Sequence, residues 1–322
     1  MGDVLGSALT PEILEAWRVA YWQLAHVLIN REDELFQAAG SWDDWRDFRI
    51  ADKVKESDVI TSFYLEPVDG RKLPSFLPGQ YVSILTDVPD FGYLQSRQYS
   101  LSDAPNEQYY RVSIKKEEGV SAKAGEAPHP GIISNIMHDH KKVGDVVKMS
   151  HPAGEFFLDP KKDTDGPVVL ISAGVGLTPM ISILNALLRE GSDDQRISFI
   201  HVSRTTKVQA FRQHIKVIVK QHPNVTASIF IRNPDTATDT EGLDYKHARR
   251  LSLDLLCRDK DLALDHQKTK YLVCGPGGFM ADVHDALRGL GVDEERIRME
   301  LFGTGAVPTA PKTEMNGEAS DE

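Results

Sequence analysis

Three short stretches carry residue types that chemistry can use. Gly174-Val175-Gly176-Leu177-Thr178-Pro179 follows the apolar run VVLISA and precedes PMISILNALL. Glycines at a strand-to-helix turn let the backbone approach a ligand closely, with a helix N-terminus aimed at it, and that suits a pyrophosphate. Any strand-to-helix turn needs glycine, however, and this one is not the GxGxxG fingerprint. No acidic residue closes the next strand, ISFIHVSR; Ser203 and Arg204 stand there instead. A hydroxyl and a cation suit a ribose 2′-phosphate, and a solvated surface arginine fits the same residues, so the pair leaves that choice open. The second stretch is Arg97-Gln98-Tyr99-Ser100-Leu101-Ser102. Arginine binds phosphate in bidentate fashion, an aromatic ring covers a planar ligand, and a neighbouring hydroxyl reaches a ring nitrogen. Taken alone, the same residues are a strand with alternating faces. In the third stretch Cys274 ends KYLVC just before Gly275-Pro276, where it is either near a ligand or a small buried strand residue. His138 and His140 of HDH lie two apart and diverge on a helix, so a solvated polar helix end is expected and no metal site.

These residues need elements to position them. FRIADKV, VITSFYLEP, GQYVSILT, RQYSLSD, YRVSIKK and DVVKMSH read as six short strands with little helix between them, which predicts a small antiparallel barrel. Beyond Pro167 the rhythm becomes strand then helix: VVLISAG, PMISILNALLREG, RISFIHVSR, QAFRQHIKVIVKQHP, VTASIFIR, KYLVCGPGGFMADVHDALRGLG. That repeat predicts a parallel α/β sheet. GVSAKAGEAPHP, residues 119–130, reads as a flexible loop. Ahead of the barrel, Leu14, Trp17, Tyr21, Leu24 and Leu28 recur at helical spacing, with Thr10-Pro11 as a start and Gly40 as a stop. Such a helix is roughly 40 Å long, and its apolar stripe needs a partner surface. The expected plan is a helix over 1–40, a barrel over 41–162, an α/β domain over 163–307 and a disordered tail over 308–322.

The 322 residues suffice for two cores. With 41% apolar and 26% charged residues the chain has the composition of a soluble globular protein, and a net charge of −11 argues against nucleic acid or an anionic membrane as partner. No apolar run is long enough to span a bilayer, and the N-terminus lacks a basic region ahead of a continuous apolar run, so no secretory signal is expected. Two cysteines, Cys257 and Cys274, do not make a disulfide framework, and the cytoplasm is the expected compartment.

The order of motifs adds to this reading. RxYS, then GxxS over Gly131–Ser134, GxGxTP, Cys274-Gly275-Pro276-Gly277-Gly278-Phe279-Met280 and Glu300-Leu301-Phe302-Gly303 resembles the ferredoxin reductase superfamily of FAD and NAD(P)H enzymes. PGQY, RQYSL, VGDVVK, PAGEFF, LISAGVG and ELFG resemble, more closely, the reductase half of flavohemoglobin, the nitric oxide dioxygenase of bacteria and fungi, over residues 10–307. The resemblance implies that Arg97 neutralises the FAD pyrophosphate, with Gln98 alongside it, Tyr99 against the isoalloxazine and Ser100 near its N5. It implies FAD contacts for Tyr81, phosphate contacts for Ser134 and Asn135, and Phe156 near the adenine. Gly174, Val175, Gly176, Leu177, Thr178 and Pro179 would take the NAD(P)H pyrophosphate, with Cys274, Gly275 and Pro276 nearby. Leu301, Phe302, Gly303 and Thr304 would cover the flavin, with Glu300 supplying a carboxylate. The family usually has glutamine at Leu177 and proline at Thr304.

Residues 10–36 resemble the last globin helix, including Ile29-Asn30-Arg31-Glu32, whose glutamate in the family bonds the proximal histidine and its tyrosine neighbour. One helix cannot enclose a haem, and His26 is a polar-edge residue, so haem is expected to be absent and Glu32 vestigial. The implied activity is hydride transfer from NAD(P)H to FAD, with electrons passed to a small-molecule or haem-protein acceptor. The alternatives are nitric oxide dioxygenation with a globin in trans or in a longer gene product, and a non-catalytic module that binds nucleotide or a partner. Self-association through the uncovered helix is a further expectation.

Overall fold

The computed structural model describes residues 10–38, 42, 44–88, 92–119 and 130–302. The chain divides into two compact units, Met1–Arg46 and Asp47–Glu322. In the first, helix α1 spans Pro11–Ala38. Thr10 caps it as expected: its hydroxyl accepts the Ile13 N–H at 3.3 Å, and its carbonyl takes the Leu14 N–H. The expected stop at Gly40 lies outside the described residues. Trp17 is 53% and Tyr21 64% exposed, and Leu14, Leu24 and Leu28 are equally uncovered. Val19, Trp22 and Ile29 are exposed too; with His26 they form a second stripe on nearly the opposite side at 100° per residue. A helix apolar on two sides is built to be packed on both. No helix among the described residues is long and apolar enough to cross a membrane.

The second unit holds two sheets. Strands β1 (Arg46–Lys55), β2 (Ile60–Pro67), β3 (Tyr81–Val88), β4 (Tyr93–Ser100), β5 (Tyr110–Lys115) and β6 (Val146–Met149) form the first, in the order β4-β3-β6-β1-β2-β5. The expected antiparallel pattern is present throughout, with a bulge in β1 between Ile50 and Asp52. In β3 Val82, Ile84, Thr86 and Val88 face inward while their neighbours face out, the two-residue period of a sheet with one buried side. A bridge between Leu101, just past β4, and Val112 of β5 joins the edge strands and closes the barrel.

The second sheet is β7 (Val168–Ala173), β8 (Ile197–Ser203), β9 (Val225–Ile231), β10 (Lys270–Cys274) and β11 (Ile297–Glu300). It is parallel, in the order β11-β10-β7-β8-β9. All six residues of β7 are buried, as expected of a central strand covered on both faces. Numbering helices onward from the short α2 (Ile132–Asn135), α3 (Leu177–Glu190) and α4 (Arg212–Gln221) share one core with Leu170, Phe199 and Leu272, while α5 (Gly277–Gly289) packs the other face with Ile171 and Val273. Strand β11 is missing from the strands that the pattern predicts; it is only four residues long, too short to show a period. One histidine expectation needs correction. His140 is exposed, but His138 is half-buried in a π-helical turn, its Nε2 2.8 Å from the Ile114 carbonyl oxygen, and burial lowers its pKa. Among the described residues no group of three candidate ligands could hold a metal.

An almost buried pair ties the two sheets together. Arg111 of β5 lies 3.6 Å from the Asp103 carboxylate. Its guanidinium donates to Ser102 and sits 5.0 Å over the Phe211 ring at the start of α4. Asp103 also accepts from Tyr109 Oη at 3.0 Å and Asn185 Nδ2 at 2.8 Å, while its carbonyl accepts the Ser182 hydroxyl at 2.7 Å. Removing one member leaves a buried charge unpaired, so Asp103→Ala is expected to cost about 3 kcal/mol. Glu66→Ala, which breaks the exposed Arg49–Glu66 pair, should cost at most about 1 kcal/mol. Urea unfolding of both variants checks the contrast; equal losses would refute the clamp.

Candidate active site

Between the barrel and the parallel sheet lies a cavity of about 670 Å³, within the roughly 300–1,000 Å³ of small-molecule sites. Three distant parts of the chain meet there: Tyr81 and Arg97–Ser100 from β3 and β4, Val175 and Thr178 from the glycine turn, and Glu300, Leu301 and Phe302 from the end of β11. Pairing of Tyr81 with Ser100, and of Val82 with Tyr99, sets the first group in register. Gly154 makes room for it: at φ +113 it leaves space for the Tyr81 ring, which a Cβ would meet at 2.9 Å. Arg97 is exposed, and its Nη1 donates to the Ser96 carbonyl at 2.7 Å and to Gln95 Oε1 at 3.4 Å, while its Nε and Nη2 have no partner among the described residues. Tyr99 is half-buried, and burial raises its phenol pKa, so the hydroxyl stays protonated. Tyr81 is raised by burial first and then by the Glu300 carboxylate.

Glu300 is the electrostatic centre of this wall. Burial lifts its carboxyl to about 7, and its Oε2 is buried without a hydrogen-bond partner among the described residues. A carboxyl that titrates near neutrality can hold or release a proton, and an orphaned oxygen is costly unless a ligand donor meets it. Opposite Glu300 in the ladder is Cys274. Its thiol is fully buried, and burial raises its pKa, so it stays protonated and unreactive. Cys274 lines neither this cavity nor the larger one across the glycine turn.

The glycine turn is a partition between two cavities. Val175 and Thr178 face the first, while Gly174 faces a second, of about 970 Å³, also lined by Ser203, Arg204, Arg232, Arg250, Pro276 and Phe279. Gly176 has no space for a side chain, because a Cβ would collide with the Cys274 carbonyl and the Gly275 nitrogen. Leu177 is buried in the core, so the residue that departs from the family pattern packs the fold. Pro179 and Gly275 are buried as well.

Several expected site residues stand elsewhere. Asn135 does not line the first cavity: its Nδ2 donates to the Glu117 carbonyl at 2.8 Å and the Gly131 carbonyl at 2.6 Å, leaving only an acceptor. Its observed contacts tie the strand end to α2 rather than reach for phosphate. Ser134 lines the cavity, but its hydroxyl donates to Gly131 and accepts from the Glu117 N–H. Phe156 is 6% exposed and packs with Ile60 and Leu158 in the core. Gly303 and Thr304 lie outside the described residues, and the Glu32 side chain is not described. Conversely, Ser113, Lys115 and Glu117 line the cavity although no motif singles them out. Their signal is the period of two in YRVSIKKEE, which puts all three on one face.

The residues present fit a planar, phosphate-bearing cofactor. The wall carries aromatic rings, Arg97 and Lys115 as cations, and an orphaned carboxyl oxygen. Glu300 also carries a pH signature. Its folded-state pKa lies above the ordinary 4.5, so between those values the native state keeps a proton that the unfolded chain releases. The stability this gives is complete below about pH 4.5 and is lost as pH rises through 7. Allowing for the part of the group that solvent reaches, the loss is about 1–2 kcal/mol. Glu300→Gln should remove that part of the decline; thermal unfolding of both proteins from pH 4.5 to 8 checks it, and parallel profiles would show Glu300 already ionised.

Residues 170–285 match the family model of an oxidoreductase NAD-binding domain. The flavohemoprotein of Rhizobium meliloti strain 1021 is 43% identical over 305 residues, which cover 94% of this chain and 72% of that protein. Among solved structures, the FAD/NAD-binding domain of nitric oxide dioxygenase from Vibrio cholerae O1 biovar El Tor is similar with a TM-score of 0.68 and 34% identity, over 81% of this chain and 100% of that one. Flavohemoglobin from Malassezia yamatoensis, solved with bound FAD and haem, has a TM-score of 0.74 and 26% identity, over 94% of this chain and 71% of that one.

Proposed function

We propose that this chain, which belongs to the flavohemoprotein family and is an FAD-dependent NAD(P)H oxidoreductase, holds FAD in the cavity between its sheets and receives NAD(P)H across the glycine turn. The observation that carries this reading is the meeting of Arg97–Ser100, Val175 and Glu300–Phe302 in one cavity. When bound, FAD supplies a two-electron acceptor for the nicotinamide hydride and a donor of single electrons to the terminal acceptor. The chain's part is to bind, orient and keep water out.

Arg97 would put positive charge toward the pyrophosphate, with Gln98 beside it at the cavity wall, while Lys115 on the same wall is already paired with Glu117 at 2.8 Å. The backbone N–H groups of Ile132, Ile133 and Ser134 head a helix and have no acceptor among the described residues, so they suit phosphate oxygens. Tyr81 and Tyr99 supply flat walls, and the Ser100 hydroxyl faces the same space. Glu300 would hold or release a proton at its unpaired oxygen, while Leu301 and Phe302 would exclude water at the cavity wall. Residues 41–162 are on this reading the FAD half and 163–307 the NAD(P)H half.

Purified protein should carry yellow flavin absorbance and reduce ferricyanide with NAD(P)H. Arg97→Ala should weaken FAD retention about tenfold or more, the loss of one charge-assisted contact. Protein that neither carries flavin nor takes it up on addition would favour a non-catalytic binding module instead.

The acceptor is the point where a second reading has support. Helix α1 exposes apolar stripes on two sides, as a helix does that packs inside a larger helical domain. Nitric oxide dioxygenation would then use haem supplied by a globin, in trans or from further residues of the same protein. Without it, a small molecule or a separate haem protein takes the electrons, and α1 is the natural docking or self-association surface. Nitric oxide consumption with NAD(P)H, by the chain alone and by the chain mixed with a haem-loaded globin, distinguishes these: consumption in either would support the dioxygenase reading, and none in both would leave the reductase alone.

A further inference from the structure

The bulge in β1 puts a charge where regular alternation would put none. Ile50 pairs with Leu65, and an unbroken ladder from there would set Asp52 against Phe63; the extra residue sets Lys53 there instead. Directly opposed residues share a face of the sheet, and Leu65 and Phe63 are both fully buried on the inner one. Lys53 is therefore turned toward the inside of the barrel, a re-aiming of a side chain that bulges accomplish. Its ammonium lies 5.0 Å over the Phe63 ring.

From that position Lys53 Nζ donates to three carbonyl oxygens, those of Met137 at 3.1 Å, His138 at 3.0 Å and Lys141 at 2.6 Å. An ammonium has three N–H donors, so all of them are used. None goes to a carboxylate, since Lys53 forms no ion pair among the described residues. It is partly buried, which lowers its pKa, and the three oxygens replace the water that its charge gives up. Helix α2 runs without a break into the π-helical turn Ile136–His140. The carbonyls that Lys53 holds therefore belong to the C-terminal end of one helical run, where unpaired carbonyls favour a cation. His138 Nε2, at the Ile114 carbonyl, is a second hold on the same end; the exposed Lys116–Asp139 pair adds little. The opposite end of the run lines the first cavity through Gly131, Ile132, Ile133 and Ser134. At 1.5 Å per residue the two ends are roughly 13 Å apart, and Lys53 itself is not part of the cavity lining.

We infer that Lys53 is a positioning residue for the phosphate end of the flavin: its ammonium pins the far end of the run Ile132–His140, so that Gly131–Ser134 are held at one height on the cavity wall. The inference rests on the reading that FAD occupies this cavity, and it names a residue of β1 that sets the phosphate contacts without touching the cofactor. Without the ammonium, three partly buried carbonyls lose their shared donor and the run is free to slide along its axis. Hydrogen bonds to phosphate have a narrow range of good distances, roughly half an ångström wide, so a small slide weakens them. The isoalloxazine, placed by Tyr81 and Tyr99 from other strands, is left where it was.

The whole chain, stripped of flavin and titrated with FAD and with riboflavin, tests this, because riboflavin has the isoalloxazine but no phosphate. Lys53→Met keeps the alkyl stem and removes the donors; it should weaken FAD about tenfold, the size of one charge-assisted contact, and riboflavin less than about twofold. The affinity ratio of the two flavins should then fall about fivefold or more. Lys53→Arg, which keeps a charge and several donors, should restore most of that ratio. If Lys53→Met fails to fold, Lys53→Gln, whose amide retains two donors, carries the same comparison with a fall of about threefold. An equal loss for both flavins, as general loosening of the barrel would produce, or an unchanged ratio, overturns the positioning role and leaves the FAD reading standing. Failure of the unsubstituted chain to bind either flavin overturns that reading itself.

Discussion

The contact between Arg111 and Asp103 is the constraint on which the site geometry depends. Asp103 lies just past the strand that carries Arg97–Ser100, and it grips Ser182 and Asn185 on the helix that begins at the glycine turn. Fixing that one loop to that one helix fixes the gap between two walls of the cavity. A buried ion pair adds little net stability, since desolvation offsets most of its attraction. Its return here is geometric. Phe211 adopts φ 56 where its ring meets the guanidinium, a left-handed conformation that is strained for an aromatic residue. The fold tolerates that strain at the point where its two halves are joined.

Charge is distributed against the grain of the composition. The chain is acidic as a whole, yet both cavities have cations in their lining, Arg97 and Lys115 in the first and Arg204, Arg232 and Arg250 in the second, beside fewer carboxylates in the second, Asp254 and Asp282. Glu300 and Cys274 stand opposite each other on adjacent strands at the sheet edge, and burial raises the pKa of both.

Much of this was legible in the residues. Period-two alternation located the barrel strands, and unbroken apolar runs located β7 and β8, because those patterns report burial directly. The glycine turn was readable because its position between strand and helix is a local property. Tertiary convergence was not readable in the same way. Arg232 and Arg250 lie far along the chain from Arg204 and meet it only through strand pairing and a returning loop. His138 looked like a polar helix end because the carbonyl of Ile114 that holds it belongs to another element. Asn135 fits a phosphate-binding pattern by type, but its amide is already committed to two carbonyls. Phe156 likewise has the right chemistry and a buried address.

The topology has a consequence in time. Within the first sheet β6 lies between β3 and β1, so that sheet stays open along its middle until residues 146–149 have left the ribosome. The cavity waits longer still. One part of its lining comes from residues 81–100 and another from residues 300–302, some two hundred residues later in the chain. No earlier nascent chain has both, so the cavity can close only after β11 is added.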